Sequence, residues 1–337
     1  MAEPLRLIQA GAGGMGRAWL RTIAANPDVR LVGLVDLDPA VAEAAAADHG
    51  FAGIEVAGSV PDLLERVGAD ALINVTVPEA HLSVSEQALE RGLAVLCEKP
   101  LAPSVAECRT MIDSAAAAGR LLMVSQSRRY FRTLHAFERQ LIKLGPPELL
   151  TCEFFKAPHF GGFRDAMAEP LLVDMAIHQF DLARKLIGAE PVSVRCRSFN
   201  PSWSWYAGNA AAEATFEFAG GAVFTFVGSW CSPGLETSWN GSWRASTAAG
   251  TARWDGDHAP VAELADGTAI PSEVGTEPEQ IAGSLAEFVQ ALRTGAAPQS
   301  EARTNINSVA MVEAAVRSSQ TGTTVALADL TPSDRGR

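Results

Sequence analysis

The run Gly11-Ala12-Gly13-Gly14-Met15-Gly16 puts glycines at positions 11, 13 and 16, the GxGxxG spacing. Each glycine has its own physical reason. The first permits a tight turn, the second lets a diphosphate approach bare backbone, and the third lets a helix pack close to the strand before it. The free N–H groups and positive dipole end of that helix then face the phosphates. Asp36 stands 20 residues after Gly16, where a carboxylate accepts hydrogen bonds from a ribose 2′-OH and repels a 2′-phosphate. No Arg or Lys follows in Leu37-Asp38. A plain tight turn is the alternative reading, but it leaves Asp36 and the flanking strand and helix unexplained. The pattern is that of a dinucleotide site, for NAD rather than NADP.

Such a site needs a strand, a turn and a helix in series, and the surrounding sequence supplies them. Residues 5–10, 30–35, 71–77, 93–97 and 121–126 are β-rich runs. Helical stretches at 15–25, 39–48, 80–91 and 104–118 alternate with them. Asp38-Pro39 reads as an N-cap followed by proline at the first helical position. The strands do not alternate polar with apolar residues, as expected where both faces of a parallel sheet are covered. After about residue 127 the pattern changes. Segments 148–156, 192–199, 211–218 and 222–229 alternate, which predicts an open, mostly antiparallel sheet with one buried face. Residues 214–226 form a β-hairpin around Gly220-Gly221, and helices are expected at 130–143, 170–187, 279–294 and 304–319. The expected fold is α/β: a Rossmann dinucleotide-binding domain over residues 1–125, then an α/β domain over 126–337 with that open sheet.

Three further segments carry a resemblance: Thr76-Val77-Pro78-Glu79-Ala80-His81, Cys97-Glu98-Lys99-Pro100-Leu101, and Asp174-Met175-Ala176-Ile177-His178-Gln179-Phe180-Asp181. In their order and spacing, and with the tail at 308–325, the chain resembles the Gfo/Idh/MocA family of glucose-fructose oxidoreductase, inositol dehydrogenase and relatives. The resemblance implies an active site between two domains and oligomer contacts through the open sheet, giving a homodimer or homotetramer. It also implies catalytic roles for Lys99, Asp174 and His178. To the cofactor it and the turn assign Gly11, Gly13, Gly14, Met15, Gly16, Asp36, Thr76, Pro78, His81, Glu98 and Lys99. It raises a cis peptide before Pro100. The chain departs from the family where many members have a run of glycines, for here stands Ala168-Glu169-Pro170-Leu171-Leu172-Val173.

The chemistry is coherent on its own terms. Oxidising an alcohol by hydride transfer requires a base for the hydroxyl proton, and a histidine with a pKa of about 6.5 suits that role. Asp174 lies four residues before His178, one helical turn away, where it can orient the imidazole. Lys99 ends a parallel strand, where ligands gather in such sheets, and its ammonium can stabilise a developing alkoxide. The plainer reading is a polar stripe, since Asp174, His178, Asp181 and Lys185 also fit the solvated side of an amphipathic helix. On that reading Asp181 pairs with Lys185; on the other it supports His178. Leu172, Met175, Leu182 and Leu186 are core residues on both.

Other residues carry two readings each. His81 is a cofactor neighbour or a solvated side chain. Arg128 and Tyr130 line a substrate pocket or cap a domain junction, and His159 and Arg164 are further pocket candidates in a Gly-rich loop. Six of the seven tryptophans lie between Trp203 and Trp254, either as platforms for sugars or as an oligomer interface.

Composition narrows the partners. A net charge of −12 and 47% hydrophobic residues describe an ordinary soluble protein and argue against nucleic acid or an anionic membrane. The start, Met1-Ala2-Glu3-Pro4-Leu5-Arg6, has no basic region or cleavage site, and no apolar stretch reaches the length of a membrane span. Five scattered cysteines without a CxxC pair read as reduced thiols in a cytoplasmic protein with no metal site. The expected activity is NAD-dependent oxidation of a secondary hydroxyl in a sugar, sugar derivative or cyclic polyol. A redox-assisted glycosidase and a non-catalytic NAD-binding sensor or repressor are the alternatives.

Overall fold

Six short, mostly buried strands build one parallel sheet. In the computed structural model, which describes residues 3–330, these are β1 (Leu5–Ala10), β2 (Val29–Val35), β3 (Glu55–Ala57), β4 (Ala71–Asn74), β5 (Ala94–Glu98) and β6 (Leu122–Ser125). Their order is β3-β2-β1-β4-β5-β6 and every pairing is parallel. The order reverses between β1 and β4, the switch point outside which such sheets bind ligands. The crossovers are α1 (Gly14–Ala24), α2 (Pro39–Asp48), α3 (Val60–Leu64), α4 (Pro78–Glu90) and α5 (Val105–Ala118). Asp38 caps α2 by accepting from the Ala40 N–H, with Pro39 in the first turn. Ser104 caps α5, which ends at left-handed Gly119. By contrast, α1 begins at Gly13 with no side-chain cap, so its first N–H groups stay available. The sequence reading omits β3 and α3, which at three and five residues are too short to show a period.

The later elements are α6 (Arg132–Leu144), β7 (Leu149–Phe155), a π-helical turn (Leu171–Ala176), α7 (Ile177–Ile187), β8 (Pro191–Phe199), β9 (Ala211–Phe218) and β10 (Val223–Ser229). There follow β11 (Ser242–Ser246), β12 (Gly250–Trp254), β13 (Val261–Leu264), β14 (Ala269–Ile270), α8 (Gln280–Thr294), α9 (Ala302–Thr321) and β15 (Val325–Ala326). Nine strands form a mixed sheet in the order β14-β13-β12-β11-β7-β10-β9-β8-β15. Only β7 and β10 run parallel in it. The hairpin of β9 and β10 pairs Glu217 with Val223 and Thr215 with Thr225. Glu213, Thr215 and Glu217 are exposed on one face, while Ala214, Phe216 and Phe218 between them are buried on the other. Phe180 of α7 meets that buried face edge-on, 4.8 Å from Phe216 and 5.4 Å from Phe226. Burial of one such side chain contributes about 1.5–3 kcal/mol, and here it fixes the helix that carries His178.

The chain divides into two compact units, residues up to 127 with Pro278–Ile306, and Arg128–Glu277 with residues from Asn307 onward. Helix α8 therefore packs with β6 and α1, although the expected boundary at 125 assigns it to the second domain. Nothing in local sequence pattern marks such a return. The expected single α-helix over 170–187 begins instead as a π turn. In addition, every residue from Ile177 to Arg184 is buried, so α7 is not an amphipathic surface helix and its polar stripe is not a solvated face. Among the described residues no helix is long and apolar enough to cross a membrane.

Candidate active site

The glycine turn is shaped by what a side chain would strike. Gly11 has φ +102°, and a Cβ there would lie 2.5 Å from the Val75 carbonyl oxygen. A Cβ on Gly16 would lie 2.3 Å from the carbonyl oxygen of Gly11. These two glycines close the turn on itself and on the end of β4. Gly13 and Gly14 differ: a Cβ at either would meet nothing within 4 Å. The space over them is open, next to the uncapped N–H groups of α1. Asp36 stands at the lip, its Oδ2 accepting from the Ala12 N–H at 2.8 Å and its Oδ1 from the Asp38 N–H at 3.1 Å. An open cradle, a bare helix start and a carboxylate after β2 fit a dinucleotide diphosphate and its ribose.

The neighbouring loops are tied together from beneath. Asn74, at the buried end of β4, donates to the His81 carbonyl and to Ser85 Oγ, at 3.1 and 3.0 Å. Its Oδ1 accepts from Thr76 Oγ1 at 2.7 Å. His81 is fully buried, with Nδ1 2.9 Å from the Pro100 carbonyl oxygen and Nε2 3.2 Å from that of Thr76. Burial holds its pKa below the usual histidine value, against the two carbonyl contacts, which raise it. His81 is thus neither a solvated side chain nor exposed at the surface of the cradle. It links the Thr76 loop to the loop that carries Lys99, where the Lys99–Pro100 peptide is cis.

Glu98 is buried as well. It accepts from Trp19 Nε1 at 2.9 Å and from the Lys99 N–H at 3.1 Å, and burial raises its pKa. Lys99 follows directly and is partly exposed.

In the second unit Asp174 sits in the π turn, as its fourth residue. Arg164 Nε donates to its Oδ2 at 2.7 Å. The i, i+4 relation to His178 assumes α-helical geometry throughout, whereas the chain is wound more widely at Asp174, as often happens near functional sites. His178 is buried at the start of α7. Asp181 is held by residues that neither reading foresaw. Arg129 Nε and Nη2 donate to it at 2.6 and 2.7 Å and Ser308 Oγ at 2.7 Å, while Lys185 pairs with Glu138. Burial opposes charge on Asp181, yet Arg129 and Arg184 hold its carboxyl below the usual range.

The remaining candidates separate in the same way. Arg128 donates to the Trp239 carbonyl and to Asn240 Oδ1, both at 2.6 Å, and burial pushes its pKa down to about 10. Tyr130 is buried. His159 stacks on Trp205 with centroids 3.7 Å apart. Arg164 is in direct contact with a proposed catalytic group, Asp174. Two cavities of about 300 and 380 Å³ lie elsewhere, beside Ile142 and Lys185 and beside Glu86 and Arg120. Among the described residues no group of three or more His, Cys, Asp or Glu is placed to hold a metal.

Sequence reasoning missed Gln9, Asn74 and Trp19. Gln9 Nε2 donates to the carbonyls of Gly11 and Gly16, at 2.8 and 3.0 Å, and braces the glycine turn. A signal for two of them was present. A Gln or Asn inside an apolar strand covered on both faces must find partners, because burying an unpaired amide is costly.

Residues 5–126 match the family described as oxidoreductase family, NAD-binding Rossmann fold. Residues 164–327 match the companion description, oxidoreductase family, C-terminal alpha/beta domain. The chain belongs to the Gfo/Idh/MocA oxidoreductase family. Within this family the chain is 31% identical over 195 residues to an inositol 2-dehydrogenase of Rhizobium meliloti, covering 55% of each chain. It is 32% identical over 227 residues to an inositol 2-dehydrogenase of Streptomyces avermitilis, covering 66% of this chain and 65% of that one. The chain thus spans little more than half to about two thirds of the curated relatives it matches. The fold matches a crystal structure of an oxidoreductase from Agrobacterium radiobacter in complex with NAD+, L-tartaric acid and magnesium. There the TM-score is 0.87 at 19% identity, over 96% of this chain and 99% of that one. The Gfo/Idh/MocA assignment makes the first unit's sheet an NAD-binding Rossmann fold, in keeping with its open glycine cradle.

Proposed function

We propose that this chain is an NAD-dependent dehydrogenase that oxidises a secondary hydroxyl of a sugar, sugar derivative or cyclic polyol. One observation carries the reading. Asp174 and His178 are held at a π-to-α junction that presents no solvated stripe, in a chain whose other unit offers an open dinucleotide cradle. The inositol 2-dehydrogenases among its relatives support a polyol or sugar.

Gly13, Gly14 and Met15 would hold the diphosphate through backbone N–H groups, and Asp36 would hold the ribose and disfavour NADP. When bound, the nicotinamide supplies the hydride acceptor. His178 takes the hydroxyl proton on its imidazole. Asp174, held in place by Arg164, steadies the imidazolium that results. Lys99 donates to the substrate oxygen and stabilises the charge that grows there. His81 and Glu98 hold the Lys99 loop in place without touching substrate.

Two further readings accompany this one. The row Arg244–Thr151–Thr225–Thr215–Arg195, aligned across β11, β7, β10, β9 and β8 and half-buried at Thr151 and Thr225, is the surface through which we expect two or four copies to associate. All five cysteines are buried free thiols, which supports a reducing, cytoplasmic setting. The test of function is NADH formation over monosaccharides, anhydrosugars and inositols, with NADP run in parallel. We expect one class to reduce NAD, with NADP at least about tenfold slower. Reduction by none of them contradicts the proposal.

A further inference from the structure

The loop before Asp174 exposes aromatic surface that the reaction described above does not use. Phe160 is 55% exposed, Phe163 67% and Trp239 39%. The rings of Phe160 and Trp239 lie 6.1 Å apart and inclined by 33°. The Arg164 guanidinium sits 5.4 Å from the centre of Phe160 and 4.7 Å from that of Phe163, and the same group donates to Asp174. The rings therefore form a shelf that begins at a proposed catalytic carboxylate. Beneath it Trp230 packs against Phe160 at 5.9 Å, and its indole N–H is buried with no protein acceptor.

The electrostatics of the shelf point to a neutral occupant. Both cations beside the rings are already matched, Arg164 by Asp174 and Lys156 by Glu236 at 3.0 Å. Lys156 lies 5.1 Å from the Trp239 ring centre. The two cations lie over ring faces, and the ring surface left exposed beside them favours a flat apolar partner in offset stacking. Its extent decides between partners. Three aromatic side chains of about 150–250 Å² each, about half exposed, present roughly 200–400 Å². That covers one aromatic ring, and is about half or less of the roughly 800 Å² per partner in a stable protein interface.

We propose that Phe160, Phe163 and Trp239 form a subsite for a neutral aromatic group linked to the oxidised sugar, which makes aryl glycosides the preferred substrate class. The inference rests on the dehydrogenase reading for its reaction and on the shelf alone for its preference. The test uses the full chain loaded with NAD+ and matched phenyl and methyl β-glucosides and β-galactosides. Binding is followed by saturation-transfer NMR and NADH by absorbance. We expect at least one phenyl glycoside to bind about five- to tenfold tighter than its methyl partner, with saturation strongest on the aryl protons. That is the size of one good stacking contact. A Phe160→Ala, Phe163→Ala double variant should bring the ratio near one, and Phe160→Tyr with Phe163→Tyr should restore it.

Equal binding of the phenyl and methyl members, or binding of none, overturns the subsite. So does a double variant that keeps the preference. A double variant that instead changes the sedimenting mass shows the shelf to be an interface between copies and also overturns it. NADH from sugars or inositols without an aryl preference removes the subsite and leaves the dehydrogenase standing. Selective aryl binding with no NADH from any substrate does the reverse.

Discussion

The glycine cradle and the Asp174–His178 segment prepare for their ligands by opposite means. The cradle works by omission: Gly11 and Gly16 let backbone close on backbone, and Gly13 and Gly14 leave space where side chains would stand. Its ligand groups are main-chain N–H donors, identical in every residue, so geometry alone makes the site. The Asp174–His178 segment works by charge. Arg164 holds Asp174, and Arg129, Arg184 and Ser308 hold Asp181 in the helix that follows. The first kind of site fails when something is added, the second when something is taken away.

That contrast can be broken most forcefully in the second unit. Arg129→Met removes the bidentate partner of a buried carboxylate, and breaking such a pair costs about 3–5 kcal/mol. Urea unfolding should show a loss of that order. A loss under 1 kcal/mol would mean that the charged scaffold is not what holds α7.

In the cradle the corresponding experiment adds one carbon. Gly16→Ala drives a Cβ against the Gly11 carbonyl and should cost about 1–3 kcal/mol in stability together with most NAD affinity. Gly13→Ala meets nothing in the protein, so its stability should stay within about 0.5 kcal/mol while NAD binding weakens about tenfold or more. Calorimetric titration with NAD beside thermal melting separates the two. If both variants lose stability equally, the cradle is not open in the way described.

The smallest effect concerns His81, which belongs to the first unit but works through a side chain. Its pKa is depressed in the fold by burial, so between the folded value and the ordinary value of about 6.5 the unfolded chain binds more protons. The stability it contributes is complete above about pH 6.5 and is lost as pH falls through the folded pKa. A His81→Asn variant should therefore show a flatter dependence of Tm on pH between about 7 and 5 than the parent. Parallel curves would exclude a depressed pKa for His81.

The same contrast explains what could be read from the residues in order. The cradle was legible because its requirements are local: a strand, three glycines at fixed spacing, a helix and one acidic residue at the next strand end. The hairpin of β9 and β10 was legible because Ala214–Phe218 and Ala222–Phe226 alternate around two glycines. Strands β11 to β14 were not, since Ser242–Ser246 and Val261–Leu264 are short and carry exposed charge on one face. The π turn left no mark in Leu171-Leu172-Val173, and the roles of Arg129, Arg164 and Arg184 depend on partners up to 124 residues away. The return of α8 to the first unit is hidden for the same reason. Long-range pairing is decided by packing, and a periodic pattern does not report it.

The central claim is that the NAD-binding fold serves a reaction whose base is His178. It is tested most directly by His178→Ala, measuring NAD affinity by titration and NADH formation on the best substrate in the same preparation. We predict unchanged NAD binding, an unchanged melting profile within about 1 kcal/mol, and turnover reduced about 10²- to 10⁴-fold. Turnover near that of the parent, with NAD still bound, would contradict the assignment.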